Sequence, residues 1–273
     1  MFWVVFFIVL AVVVVLVGVV VNVNRLRFDR RTTREMGALS AVSPSHLPLP
    51  AVVSLPPPVE RYRQLAVGER TPIRTLKMRH AGTFWTSPTA KATSIRGLQF
   101  FTADPPGFVW TGRIRMAPGV WIDARDMFAA GEGSMRVLLD DTVPLVDAKG
   151  AAIDQGAALR ILAEMPWFPT ALFDSRYVRW SPIDVDHAKA TLRLGRQQVS
   201  CVFEFGPEGL PVRSSAERPR ETGEMRPWGG TYKDYRIAAG MRVPFEVEVT
   251  WQLESGPYTY AHWLIDSFEY DRL

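Results

Sequence analysis

Cysteine, histidine and lysine are scarce in this chain of 273 residues. The one cysteine, Cys201, excludes an intrachain disulfide, so cysteine usage says nothing about redox compartment. In Val199–Phe205, the row Val199, Cys201, Phe203 and Phe205 alternates with Ser200 and Glu204. That pattern reads as a small buried side chain on a strand rather than a nucleophile. The four histidines, His46, His80, His187 and His262, show no metal-ligand spacing, and a zinc site would need ligands assembled from distant strands. No Walker pattern and no G-x-G-x-x-G occurs; Gly131-Glu132-Gly133 is only G-x-G and fits a turn at a strand edge. G-x-S-x-G and H-E-x-x-H are missing as well. The sequence therefore carries no standard catalytic signature, and no metal and no cofactor are expected. Lysines number 5 against 27 arginines, a skew that GC-rich codon usage accounts for.

The formal net charge is +4, and its location matters. Arg25, Arg27, Arg30, Arg31 and Arg34 crowd a stretch that holds only Asp29 and Glu35 in return. The remainder is close to neutral. A nucleic-acid binder is expected to carry its excess charge on the folded domain, so no nucleic-acid partner is expected. A basic cluster beside an apolar run points instead to anionic headgroups of a lipid bilayer.

Phe2 to Val21 contains no charge and no proline. Twenty helical residues span about 30 Å, the thickness of the hydrocarbon layer. A cleaved signal fits poorly: nothing basic precedes the run, and its exit, Val19-Val20-Val21-Asn22-Val23-Asn24, lacks a small-x-small site. Residues 2–21 are thus expected to form a single retained transmembrane helix. The five arginines after it place the C-terminal side in the cytoplasm by the positive-inside rule.

Residues 22–54 read as a basic juxtamembrane and proline-rich linker, and residues 55–273 as one soluble domain. Pro44, Pro48, Pro50, Pro56, Pro57 and Pro58 favour an extended spacer. Pro57 and Pro58 also suit a helix start, with Val59, Tyr62 and Leu65 or Ala66 on one face. From Ile73 onward period-2 patterns dominate. Phe108, Trp110, Gly112, Ile114 and Met116 oppose Val109, Thr111, Arg113 and Arg115; Ala190, Leu192 and Leu194 oppose Lys189, Thr191 and Arg193; Phe245, Val247, Val249 and Trp251 oppose Glu246, Glu248 and Thr250. Such strands bury one face and wet the other, the antiparallel habit. One helix interrupts them, capped by Asp154 and running from Gln155 to about Met165, with Ala158, Ile161, Leu162 and Met165 on one face. A short helical stretch, Trp167 to Phe173, follows Pro166. The expected fold is mainly β (α+β): a curved antiparallel sheet, or half-barrel, closed by a central helix pair and preceded by the transmembrane helix.

Carboxylates are the remaining candidates for chemistry. Asp123, Asp126 and Asp140, joined by His80 or His187, could serve acid–base work if gathered in one cleft. The plainer reading of Asp123 and Arg125 is a solvated strand face with a cross-strand ion pair. Eight tryptophans lie outside the apolar run: Trp85, Trp110, Trp121, Trp167, Trp180, Trp228, Trp251 and Trp263. Aromatics on the dry face of a curved sheet make either a packed core or an apolar cavity.

Several blocks resemble an uncharacterised bacterial family known only as a domain of unknown function. They include Leu55-Pro56-Pro57-Pro58-Val59-Glu60-Arg61-Tyr62, Asp104-Pro105-Pro106-Gly107-Phe108-Val109-Trp110, Trp167-Phe168-Pro169-Thr170-Ala171-Leu172, Pro227-Trp228-Gly229-Gly230, and Asp234-Tyr235-Arg236 leading to Arg242-Val243-Pro244. The resemblance runs over about residues 55–271. The strand order also looks like the half-barrel of periplasmic lipoprotein carriers of the LolA type, which implies an apolar ligand cavity and an extracytoplasmic domain, opposite to the arginine reading.

The leading expectation is a bitopic protein that binds a lipid or acyl chain without catalysis. Phe108, Trp110, Met116, Trp167, Phe168 and Trp251 would line the pocket, and Arg113 and Arg115 would meet a headgroup at its mouth. A hydrolase-like enzyme with a carboxylate/His cleft, and an envelope scaffold for another protein, stand as alternatives.

Overall fold

The computed structural model describes residues 1–43, 54–67, 72–220 and 223–271. Most of the proline-rich stretch, with His46, lies outside the described residues.

Thirteen antiparallel strands form one sheet. The first half comprises β1 (Thr75–Phe84), β2 (Thr93–Ala103), β3 (Pro106–Ala117), β4 (Val120–Ala129), β5 (Glu132–Leu139) and β6 (Val143–Lys149). The second comprises β7 (Val178–Pro182), β8 (His187–Leu194), β9 (Gln197–Phe205), β10 (Pro211–Pro219), β11 (Met225–Ala238), β12 (Met241–Leu253) and β13 (Gly256–Tyr270). Each half is a meander of hairpins. They join at the sheet's centre, where β1 pairs with β13, and leave β6 and β7 as the edges. The sheet curls into the expected half-barrel. The chain between the two edge strands crosses from one half of the sheet to the other, its helix packing against β3 to β6 and β8 to β10.

That crossing segment is helical. α3 (Ala151–Glu164) is followed by two 3-10 turns, Met165–Trp167 and Pro169–Phe173. Ala158, Ile161, Leu162 and Met165 are fully buried, as their spacing predicts. The start differs from expectation. Gly150, at φ 109°, supplies the N-cap position, a backbone conformation that suits glycine. Asp154 sits within the first turn and its carboxylate accepts a 2.7 Å hydrogen bond from the Gly133 N–H, tying helix to sheet.

α2 (Pro57–Ala66) buries Pro58, Val59, Tyr62 and Ala66 and leaves Leu65 exposed. It packs against β8, β12 and the Pro169–Phe173 turn, with Tyr62 beside Phe173 and Phe205, and joins a core in which Phe101, Phe108, Phe128, Phe168 and Phe203 are fully enclosed. Cys201 lies in the same core, and burial pushes its thiol up to about 12.

α1 (Phe2–Ala41) is continuous, and by length and apolarity it is the one helix among the described residues that could cross a membrane. Its arginine-rich part is helical too, with Arg31 and Glu35 paired one turn apart at 3.0 Å. This second half lies along the convex face. Leu39 packs with Phe100 and Val109, and Asn24 donates to Thr142 Oγ1 at 3.3 Å. The solvated face expected around Asp123 and Arg125 is therefore corrected. Their cross-strand partners exist, but α1 covers them, and both are about 5% exposed or less.

Candidate ligand-binding site

The half-barrel is filled at one end and hollow at the other. A cavity of about 770 Å³ lies between the concave face and α3, lined along the helix from Ala152 to Glu164. Ile114, Ile122 and Val137 line one wall; Trp228, Val249 and Trp251 line the other. Trp263 and Tyr260 from β13 and Ile153 and Ala157 from α3 complete the enclosure. In an antiparallel sheet the ends of β3, β5, β10 and β12 meet the starts of β4, β6, β11 and β13, and most of the lining comes from that common end. Thr86, Arg220 and Glu224 also line the space and are exposed, so they mark its mouth.

A polar cluster forms its floor. Arg160 of α3 pairs with Asp126 of β4 at 2.7 Å and with Glu164 at 2.9 Å, and lies 5.0 Å from the Trp110 ring centroid. Gln99 donates to the second oxygen of Glu164 at 2.7 Å. Burial raises the Glu164 carboxyl above the usual carboxylate range, against the pull of Arg160. Beside this cluster, Trp110 donates its indole N–H to His80 Nε2 at 2.8 Å. That bond puts the imidazole proton on Nδ1. Burial, assisted by the positive charge of Arg160, pushes His80 down to about 3, so it is neutral and acts as an acceptor.

Residues 48–263 match a family described only as a family of unknown function, DUF6544. The chain belongs to that family. No curated protein matches the sequence. Several solved structures are similar to this DUF6544 chain. One is a DUF1329 family protein from Desulfovibrio piger, 10% identical, with 78% of this chain and 90% of that chain covered at a TM-score of 0.43. Another is a LolA superfamily protein from Nitrosomonas europaea, 10% identical, with 79% and 93% covered at a TM-score of 0.40.

Of the residues singled out in the DUF6544 sequence, Trp110, Trp167 and Trp251 line the cavity. Phe108 and Phe168 are enclosed in the filled end. Met116 is 45% exposed near the end of β3. Arg113 lies on the convex side, bonded to Asp123 at 2.8 Å and Asp141 at 3.1 Å, and Arg115 stands over Trp121. The carboxylates and histidines of the enzyme alternative do not share one cleft: Asp126 and His80 lie beside Arg160 and Trp110, Asp123 and Asp140 neighbour each other elsewhere, and His187 stands apart. Asp126 faces the cavity; Asp123 binds Arg113; Asp140 accepts from the Trp121 N–H at 2.8 Å; His80 is in the interior; His187 pairs with Asp184 on an exposed loop.

The sheet also assembles Glu246, Glu248 and His262 on adjacent strands, their ligand atoms within 4.8 Å of one another. Lys233 already sits against both carboxylates, 3.1 Å from Glu248 and 3.8 Å from Glu246. The group is an ion-pair cluster with its cation in place.

The sequence reading missed Arg160, Glu164, Gln99 and Arg218. A signal existed for the two on strands: Gln99 follows Ile95 and Gly97, and Arg218 follows Ser214 and Ala216, at the inward phase where an apolar residue is expected.

Proposed function

We propose that this DUF6544 protein is a single-pass membrane protein whose half-barrel holds a lipid-like molecule beside the bilayer, as a binder rather than a catalyst. The hollow end carries this reading. Its volume falls within the range of about 300–1,000 Å³ usual for ligand sites, and its walls are mainly aliphatic and indole groups.

The course of α1 supports the same reading. Asn24 is level with the β5–β6 turn at Thr142, and Leu39 reaches the other end of β3 at Gly107. Val21 precedes Asn24 by three residues, about 4.5 Å of helix rise. With residues 2–21 in a bilayer, the hollow end of the domain faces the membrane surface. Met116, Val143 and Leu145, each 45–50% exposed, lie at that end. The arginines from Arg25 to Arg34 favour the cytoplasmic side for it.

Native mass spectrometry of the full chain released from lipid nanodiscs tests the proposal. The expected result is a bound lipid that survives release and is reduced in Val249→Trp, which narrows the cavity. A wild-type chain that emerges empty overturns it.

A further inference from the structure

The cavity holds a positive charge that its own walls do not satisfy. Asp126 and Glu164 share Arg160, and Glu224 at the mouth is held by Arg226 at 2.5 Å. Each carboxylate lining the space thus has a guanidinium. The side chain of Arg218, at the inward phase of β10, has no hydrogen bond or ion pair among the described residues, and its Nε is enclosed without a partner.

The side chain is nonetheless fixed in place. Its guanidinium lies 4.7 Å from the Trp228 ring centroid and 5.6 Å from that of Trp251, two residues directly opposite each other on β11 and β12. On its other side is Gly156 of α3, where an added Cβ would come within 3.4 Å of Nε and 3.5 Å of an Nη. The guanidinium is thus packed between the helix at Gly156 and the two indoles. Stacking on indole faces stabilises a cation but leaves its N–H donors in the ring plane unused. Arg218 is partly exposed, but its Nε is enclosed without a partner; a buried donor left unpaired is costly, and the planar fork of the guanidinium matches a carboxylate or phosphate.

We infer that the molecule bound in the cavity is an amphipathic anion, its acidic head on Arg218 and its apolar chain along the tryptophan-lined walls. This rests on the lipid-binding reading above and adds the charge of the ligand. Arg220 at the mouth reinforces the selection, and the Asp126–Glu164 pair deeper in the cavity opposes entry of the head beyond Arg218.

The test uses the full chain in nanodiscs of zwitterionic phospholipid and three diazirine probes: hexadecanoic acid, hexadecyl phosphate and hexadecanol. Adducts are mapped by peptide mass spectrometry to the segments bearing Trp228 and Trp251. At least one acidic probe should label these more than the alcohol does. Arg218→Gln should reduce acidic labelling about tenfold and leave alcohol labelling within about twofold, the scale of a lost charge-assisted hydrogen bond. Arg218→Lys should retain most of the acidic labelling. If acid, phosphate and alcohol label wild type equally, the inference is overturned while the cavity reading stands. If no probe labels these segments, both fall. Should Arg218→Gln fail to fold, the wild-type preference and the lysine variant decide the question.

Discussion

Glu35 of the long first helix meets Arg125 of β4, Oε2 to Nε 3.3 Å, under the cover of α1 itself. This contact makes the helix part of the domain's convex wall as well as a candidate anchor. Arg125 also donates to the Ser134 carbonyl at 3.1 Å, and burial already depresses its pKa. Removing Glu35 leaves that guanidinium enclosed with hydrogen bonds but no counter-charge. Glu35→Ala should destabilise the domain by about 2–3 kcal/mol, with much of the loss recovered in the double variant Glu35→Met, Arg125→Met. Urea unfolding followed by tryptophan fluorescence measures both; equal stability of the single variant and wild type would show that the helix does not need the pair.

The same contact marks where the sequence was legible and where it was not. Alternation in β8 and β9 was enough, because Ala190, Leu192, Val199 and Phe203 face the core and their neighbours face water. The half-barrel followed from many such strands with one helical interruption. On β2 to β4 the outer row is covered as well, so Phe100, Val109 and Arg125 are buried against a helix far away in sequence. Period alone carries no information about a partner that distant. The cavity was half legible. Trp110, Trp167 and Trp251 line it, yet Phe108, in phase with Trp110 on the same strand, falls in the filled end. Position along the barrel axis decides between core and cavity, and residue pattern does not encode it.

Two buried groups should give stability opposite slopes against pH. His80 is at about 3 in the fold against an ordinary 6.5, so its contribution is in place above pH 6.5 and lost as pH falls from there toward 3. Asp141 goes the other way. Burial, then the nearby Asp123 charge, raise it from 3.8 to about 6 against the pull of Arg113, so stability falls as pH rises through that window. Thermal midpoints of wild type and Asp141→Asn from pH 4 to 7 separate the two. The variant should lose stability on acidification more steeply than wild type and gain relative to it near neutrality. Asparagine also tolerates the left-handed backbone at this position, φ 53°. Parallel curves would refute the assignment to Asp141.

Neighbouring glycines on β11 should respond very differently to one methyl group. A Cβ on Gly229 would stand 2.0 Å from the Ser214 carbonyl oxygen of β10, a backbone atom that moves only if the strands part. At Gly230 the nearest atom is 3.4 Å away. Gly229→Ala should cost about 2–3 kcal/mol and Gly230→Ala less than about 1 kcal/mol. Because Trp228 and Arg218 flank the β10–β11 contact, Gly229→Ala should also weaken labelling of the cavity wall. Equal unfolding midpoints for the two variants would contradict the strand spacing.

The orientation of the domain over the bilayer has a direct measurement, which the chain's one cysteine makes practical. Cys201 is 1% exposed and burial holds its thiol at about 12, so thiol-directed spin labels should leave it unmodified. Val143→Cys places a label at the hollow end beside α1, and Glu208→Cys places one at the opposite end, on the exposed turn between β9 and β10. In nanodiscs, power saturation should find position 143 more accessible to dissolved oxygen, which concentrates in lipid, than to a water-soluble nickel complex. Position 208 should show the reverse order. Identical ratios at both sites would mean that the cavity does not face the membrane, and the route by which a lipid reaches Arg218 would then have to lie elsewhere.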